Sequence, residues 1–162
     1  MNEPLTLTVN GRECQVDAPP TTPLLDVLRN HLGLKGSRYG CGLEQCGACM
    51  VLVDGVATHS CSREAGTLGR RSIMTVESLG SPEALHPLQQ AFIDEQAGQC
   101  GYCLSGMLMA AKALLDRNPY PTRAEVAVAL DPNLCRCGSH PRILRAVLRA
   151  AAIMRRVADA RT

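Results

Sequence analysis

The sequence is poor in aromatic residues. Phe, Trp and Tyr together make up 2% of its 162 residues, and Trp is absent. The core must therefore consist mainly of aliphatic side chains. Neither sign of charge dominates, since 17 Lys and Arg stand against 15 Asp and Glu, with no run of like charges before the scattered arginines of the C-terminus. This balance argues against a dedicated nucleic-acid-binding protein.

The chain also lacks a hydrophobic run of the roughly 18 to 20 residues that cross a bilayer, so we expect no direct membrane insertion. Met1 is followed by Asn2-Glu3-Pro4, which is neither a basic n-region nor a twin-arginine leader, and this predicts a cytoplasmic location. With 46% hydrophobic and 20% charged residues, the composition is that of a globular protein. A chain of this length forms one ordinary domain or two very small ones.

Cysteine is the residue present in excess, with nine copies. A reducing compartment disfavours disulfides, so this number points to metal-binding or catalytic thiolates. Eight of the nine fall into two groups of four, and Cys14 is left over. Because Cys14 lies on an alternating strand pattern, we expect it to be a small buried hydrophobic residue.

The first half of the chain carries a strand pattern. Five strands are predicted, at residues 5–9, 14–16, 49–53, 56–59 and 72–76. Asn10-Gly11 and Asp54-Gly55 each separate two of them, and such pairs supply the positive φ angles of a two-residue hairpin turn. Between the hairpins, Thr22 as N-cap, Pro23 as first residue and Gly33 as terminator predict one short helix.

Helical periodicity dominates the second half. Four helices are predicted: one around 88–95, one over 104–115, one from the capping box of Thr122 and Glu125 to Leu130, and one opening at Pro141. Breaks between Leu79 and Pro87 place a domain boundary there, giving a domain at 1–79, a linker at 80–86 and a second domain at 87–162. The arginines of the last helix are expected to form a solvated face or to contact an acidic partner.

The first cysteine group has a specific spacing. Cys41, Cys46 and Cys49 form C-x4-C-x2-C, and Cys61 follows after the second predicted hairpin. This is the spacing of plant-type [2Fe-2S] proteins. Flanking glycines favour a loop wrapped tightly around a cluster, with backbone N–H groups directed at its sulfurs; they are Gly36, Gly40, Gly42 and Gly47.

The second cysteine group consists of Cys100 and Cys103 as C-x2-C, then Cys135 and Cys137 as C-x-C. Each pair precedes a predicted helix, whose partly positive N-terminal end favours a negatively charged thiolate cluster. The pattern therefore favours a second iron–sulfur centre. A structural zinc ion is the alternative, although zinc sites usually combine C-x2-C pairs or histidines. We expect none of the four histidines to be a ligand, because eight thiolates already fill two sites.

Taken together, these motifs resemble the small iron–sulfur subunit of the molybdenum hydroxylases, the xanthine oxidase family. The resemblance covers nearly the whole chain and is carried by three segments, Gly33–Cys49, Gln99–Cys103 and Asn133–Gly138. It implies an α+β fold, with an N-terminal β-grasp, plant-type ferredoxin domain followed by a C-terminal four-helix bundle. It also implies two [2Fe-2S] clusters held by eight cysteines.

The resemblance implies an electron-transfer role without catalytic residues in this chain. In that family a large subunit holds the molybdopterin cofactor and hydroxylates substrates with oxygen derived from water. Electrons would pass singly through the C-terminal cluster, then the N-terminal cluster, to an FAD-binding subunit or a cytochrome c-type acceptor. The 41–46 loop and the segment 137–144 resemble small subunits of nicotinate- and isoquinoline-type dehydrogenases, which implies an N-heteroaromatic substrate or an aldehyde. Membrane association would arise only through a partner.

The resemblance also gives Gln99 and Cys137 a role. Gln99 would hydrogen-bond the pterin cofactor, and Cys137, besides binding iron, would lie near enough to couple the pterin to the cluster. On sequence alone, Gln99 is more typical of a helix-end or loop amide that caps a backbone group, and only the family motif favours the pterin contact. Tyr102 and Arg136, between cluster cysteines, belong to the electron path, to the subunit contact or to ordinary packing.

Two other functions remain open at this point. A free-standing ferredoxin-like carrier or redox sensor would transfer electrons without a fixed enzyme, although it needs neither the second quartet nor the helical half. A zinc-stabilised interaction module is disfavoured by C-x4-C-x2-C. Colour separates the last hypothesis from the others, since iron–sulfur proteins are brown and zinc proteins are colourless.

Overall fold

The first half of the chain forms a mixed five-stranded sheet. The structure is a computed structural model that describes residues 4–160; Met1–Glu3, on which the prediction about a leader depends, lie outside the described residues. The strands are β1 (Leu5–Val9), β2 (Arg12–Val16), β3 (Met50–Val53), β4 (Val56–His59) and β5 (Ser72–Met74). Their order is β2-β1-β5-β3-β4, with β1 and β5 parallel and the other neighbours antiparallel.

Both predicted hairpins are confirmed. Asn10 and Gly11 have φ angles of 52° and 75°, and Asp54 and Gly55 have 50° and 79°, as a type I′ turn requires. The fifth strand is shorter than predicted, because the chain leaves the sheet after Met74 and makes a 3-10 turn at Val76–Ser78. The Asn10 side chain accepts the Thr75 N–H at 2.8 Å and so fixes the point where the strand ends.

The predicted helix after the first hairpin differs from expectation. Helix α1 (Leu24–Asp26) runs directly into a π-helical segment, Val27–His31. Pro23, not Thr22, occupies the N-cap position, and no side chain caps this end. Gly33 follows with a φ of 69°, so the predicted terminator is confirmed. The buried leucines and valine of this segment cover one face of the sheet.

Four helices make up the second half of the described chain, which ends at residue 160. They are α2 (Pro87–Asp94), α3 (Leu104–Arg117), α4 (Arg123–Leu130) and α5 (His140–Asp159). The capping box at the start of α4 is present, since Thr122 and Glu125 bond each other's backbone N–H groups. A second capping box, not predicted, starts α2: the His86 ring accepts the Leu88 N–H at 3.1 Å.

The arginines of α5 are not simply a solvated face. Arg145 bonds Glu95 at 3.0 Å, and Arg149 bonds Asp94 at 2.9 Å. These cations therefore lie against the C-terminal end of α2, where the helix dipole is negative and a positive charge is favourable. The pattern did not reveal this contact, because about 50 residues separate the partners along the chain.

Two apolar cores are joined by a smaller one. The helical core lies among α2, α3, α4 and α5, and the other lies between the sheet and the helix after the first hairpin. Between them, Met50 and Leu52 of β3 pack against Met109 and Ala113 of α3. The sheet and the helices thus share buried contacts. Within residues 4–160, no helix is both long and apolar enough to span a bilayer.

Cys14 is half-buried on β2, not fully buried as predicted. Its thiol donates to the Arg12 carbonyl at 3.7 Å and packs beside the core under the sheet. It lies outside both cysteine quartets, in agreement with its separate position in the sequence.

The contact between β3 and α3 gives a testable prediction. We expect Met109→Ala to lower the free energy of unfolding by about 2–5 kcal/mol, because Met109 is fully buried and its truncation leaves a cavity between sheet and helix. Val128→Ala is the control, since Val128 is 75% exposed and its loss costs at most about 0.5 kcal/mol. Urea unfolding followed by circular dichroism measures both. Equal midpoints for the two variants would contradict this role of Met109.

Candidate metal centres

The N-terminal quartet occupies the loop before β3 and the turn after β4. Cys41 and Cys46 lie together, with the Cys41 N–H donating to the Cys46 Sγ at 3.4 Å. Cys49 and Cys61 form a second pair, in contact with each other and packed against Leu25. The β3–β4 hairpin brings Cys61 back to Cys49, as the spacing predicted.

The two pairs of this quartet have different electrostatic surroundings. The N–H groups of Leu43 and Gln45 donate to the Cys41 Sγ at 3.3 and 3.2 Å and lower the pKa of this thiol to about 7. Burial has the opposite effect on Cys49, whose pKa is raised to about 11. One pair is therefore half-exposed and supplied with donors, whereas the other is shielded from water.

The C-terminal quartet joins the residues before α3 to the residues before α5. The sulfur atoms of Cys100 and Cys137 are 3.5 Å apart, and the thiols of Cys103 and Cys135 are in contact. Cys103 is the N-cap residue of α3. The structure thus brings the C-x2-C and C-x-C motifs together across 31 intervening residues.

Backbone donors and burial also act differently within this quartet. The Tyr102 N–H lowers the pKa of Cys100. Burial raises the pKa of Cys135, but hydrogen bonds from the N–H groups of residues 137–139 and from the Cys103 thiol together outweigh it, so the net shift of the pKa is downward. Burial dominates at Cys103 and raises its pKa to about 12. The loop before α5 therefore directs its N–H groups at a cysteine sulfur, as expected for an anionic site at a helix start.

The two quartets face each other across a small gap. A cavity of about 170 Å³ is lined by Cys46 from the first quartet and by Cys100, Cys103 and Cys135 from the second. Next to it, the Leu134 N–H donates to the Cys46 carbonyl at 3.0 Å. A direct backbone hydrogen bond therefore links a residue beside one quartet to a member of the other.

A second contact between the cysteine loops involves Arg38. Its guanidinium donates to the Gly101 carbonyl at 3.0 Å and lies 5.3 Å from the centre of the Tyr102 ring. The Tyr102 hydroxyl in turn donates to the Tyr39 carbonyl. Sequence patterns gave no role to Arg38 and left that of Tyr102 open, because their contacts join residues 63 positions apart and no local pattern marks them.

Gln99 lies beside Cys137, the other residue given a cofactor role. The Gln99 side-chain amide donates to the Cys137 carbonyl at 3.3 Å, so it holds a backbone group of its own chain. Gln99 is exposed, and Cys137 is half-buried. Arg136 is exposed too and lines the gap between the quartets.

The cysteine thiols of each quartet lie in two pairs. Among residues 4–160, no three His, Cys, Asp or Glu side chains lie near enough to one another to hold a single metal ion. His86 caps α2, as described above. The arrangement is therefore two sets of paired thiols, each set supplied with backbone N–H donors.

A ferredoxin-like sheet with paired thiols on its loops, joined to helices that carry a second set, defines an iron–sulfur protein. Two family models match this chain. The 2Fe-2S iron-sulfur cluster binding domain matches residues 7–71, and the [2Fe-2S] binding domain matches residues 75–148. Each match contains one complete quartet.

Similar proteins span the same length. A nicotinate dehydrogenase subunit from Pseudomonas putida is 56% identical over 96% of this chain and 99% of its own. The alpha subunit of isoquinoline 1-oxidoreductase from Brevundimonas diminuta is 48% identical over 88% of this chain and 94% of its own.

Solved structures show the same fold. Quinoline 2-oxidoreductase from Pseudomonas putida 86 superposes with a TM-score of 0.89 at 38% identity, covering 94% of this chain and 96% of the matched one. Aldehyde oxidoreductase from Desulfovibrio desulfuricans gives a TM-score of 0.92 at 41% identity over 95% of this chain, which spans 17% of that protein's length.

The chain belongs to the small [2Fe-2S] subunits of the molybdenum hydroxylase family, the xanthine oxidase family. It is an electron-transfer subunit of an oxidoreductase of this kind, as the resemblance implied.

The unequal thiols give a prediction for the metal-free, reduced protein. Because thiolates react and thiols do not, we expect iodoacetamide to modify Cys41 much faster than Cys103 at neutral pH. The rate at Cys41 should rise as the pH increases through about 7, where the thiol loses its proton, and then level off. Mass spectrometry of timed samples measures both sites. Equal modification of the two cysteines would show that the backbone donors do not set their reactivity.

Proposed function

We propose that this chain relays electrons one at a time from the molybdopterin centre of a large partner subunit to an FAD-binding subunit or a cytochrome c-type acceptor. The C-terminal quartet would receive them and the N-terminal quartet would pass them on. The observation that carries this proposal is the meeting of the two quartets at one gap, joined by the hydrogen bond from Leu134 to Cys46.

The proposed ligands are all eight cysteines of the quartets: Cys41, Cys46, Cys49 and Cys61 for one cluster, and Cys100, Cys103, Cys135 and Cys137 for the other. When bound, a [2Fe-2S] cluster exchanges single electrons. The donor sets fit it, because each of its two irons takes two thiolates and each quartet is made of two pairs. A mononuclear zinc ion would instead need four thiols converging on one point.

The chain's own groups suit this role in two ways. Backbone N–H groups directed at Cys41 and Cys135 stabilise negative charge on sulfur. Burial of Cys49 and Cys61 keeps water away from one side of the N-terminal site. Such hydrogen bonding and exclusion of solvent are the features by which a protein sets the reduction potential of an iron–sulfur site.

Gln99 and Cys137 are the proposed contacts to the pterin cofactor, which the partner subunit would hold. Gln99 directly precedes Cys100, and its hydrogen bond to the Cys137 carbonyl holds the Gln99 amide beside the C-terminal quartet. Gln99 is exposed, so a partner can reach it. This exposure supports docking of the large subunit on the C-terminal quartet.

We propose an N-heteroaromatic compound or an aldehyde as substrate of the whole enzyme, hydroxylated in the large subunit with oxygen derived from water. The names of the similar proteins support this, since they include a nicotinate dehydrogenase, an isoquinoline oxidoreductase and an aldehyde oxidoreductase. No residue of this chain is proposed to touch the substrate.

We further propose that residues 1–79 form a β-grasp ferredoxin domain, residues 80–86 a linker and residues 87–162 a four-helix bundle. The shared apolar core of α2, α3, α4 and α5 supports the bundle. We also propose that the protein is cytoplasmic and associates with a membrane only through a partner.

Metal analysis tests the cluster assignment. Anaerobically purified protein should contain about four irons and four acid-labile sulfides per chain, with two distinct EPR signals after dithionite reduction. Cys46→Ser should lose the iron of one cluster, because it removes one of four thiolates, whereas the control Cys14→Ser should keep the full content. About two irons and one zinc in the unaltered protein would confine electron transfer to one quartet and reject the relay. Purification without a molybdenum subunit would favour the free-standing carrier.

Gln99→Ala tests the pterin contact. In the complex with the large subunit, substrate-driven reduction of the clusters should slow by up to about tenfold, the effect of one lost hydrogen bond. Rapid mixing with optical detection measures this rate. Gln90→Ala is the matched control, because the Gln90 amide bonds Asp94 at 2.7 Å within α2. Unchanged transfer in Gln99→Ala, with both cluster signals intact, would leave Gln99 only its bond to the Cys137 backbone.

A further inference from the structure

Asn133 is a buried polar residue at the point where the cysteine loops meet. It lies two positions before Cys135 and is only 3% exposed. Its Nδ2 atom donates to the Gly47 carbonyl at 3.1 Å. Burying an amide side chain costs free energy unless its polar atoms form hydrogen bonds, and the bond to Gly47 meets this requirement for Nδ2.

The hydrogen bond of Asn133 is one of two adjacent links between the quartets. The Asn133 side chain donates to the Gly47 carbonyl, and the backbone N–H of Leu134 donates to the carbonyl of Cys46, the residue before Gly47. Two consecutive residues thus hold two consecutive residues of the other loop. A single hydrogen bond restrains only the distance between two loops. Two adjacent bonds also restrain the rotation of one loop relative to the other.

The start of α3 closes the same contact from the other side. A Cβ atom on Gly106 would lie 1.9 Å from the Gly47 carbonyl oxygen, and a Cβ atom on Gly47 would lie 2.3 Å from Nδ2 of Asn133. Both distances are shorter than any real contact, so only glycine allows this approach. Gly106 follows Cys103 by one turn of helix. The junction therefore joins the chain segments that carry Cys46, Cys103 and Cys135.

We propose that Asn133, seated between Gly47 and Gly106, is a positioning residue that fixes the separation of the two cluster sites. The inference rests on the proposed function. Electron transfer between two centres slows steeply as the distance between them increases, so a rigid junction at the gap sets the rate of the relay. Asn133 itself need not touch either cluster, since it acts through the Cys46–Gly47 backbone.

The test is the magnetic interaction between the two reduced clusters in the full-length, cluster-loaded protein. This interaction falls as the inverse cube of the separation and is read as a splitting of the low-temperature EPR signals. Asn133→Ala removes the donor to Gly47, and we expect a smaller splitting with both signals and the iron content retained. Asn118→Ala is the matched control, because its amide bonds Glu125 at 3.3 Å, away from the cysteines; its splitting should match the unaltered protein.

Gly106→Ala tests the same junction from the side of α3. It inserts a methyl group 1.9 Å from the Gly47 carbonyl oxygen and 3.1 Å from Nδ2 of Asn133, so it forces the two loops apart while the Asn133 side chain is retained. It too should reduce the splitting. An unchanged splitting in either variant, with both clusters present, would overturn the proposal. Loss of a cluster in Asn133→Ala, but not in Asn118→Ala, would assign Asn133 to cluster retention instead of spacing and would also overturn it. Failure of the proposed function looks different, because the unaltered protein would then lack two signals.

Discussion

The packing of β3 against α3 is the contact on which the site depends. Strand β3 begins directly after Cys49, and helix α3 begins directly after Cys103. Met50 and Leu52 pack against Met109 and Ala113. This packing brings the start of β3 and the start of α3 close together. An apolar contact without any metal-binding residue thus sets the two quartets face to face, and the loops need only wrap each quartet locally.

Local features of this chain could be read from the sequence, because their causes are local. The Asn10-Gly11 turn and the capping box at Thr122 each involve residues within a few positions of one another. The spacing of the cysteines likewise predicted two separate groups. The π-helical segment at Val27–His31 was missed, since no short pattern distinguishes it from an ordinary helical turn.

The rest could not be predicted because it depends on residues far apart in the chain. Which thiols pair, such as Cys100 with Cys137, follows from how α3 and α5 return to the same point. The bond of Arg38 to Gly101 and that of Asn133 to Gly47 span 63 and 86 positions. Arg38 has no local pattern that gives it a role. Asn133 begins the Asn133–Gly138 motif, but its own role becomes visible only when Gly47 and Gly106 are placed around it.

The position of the cysteines along the chain has a consequence for biosynthesis. All residues of the N-terminal quartet have been synthesised once Cys61 leaves the ribosome, whereas the C-terminal quartet is incomplete until Cys137 follows. Gly106 and Asn133 both contact Gly47 and cover one side of the loop that carries Cys46. The residues that cover this side of the first site are therefore synthesised only after all four of its cysteines.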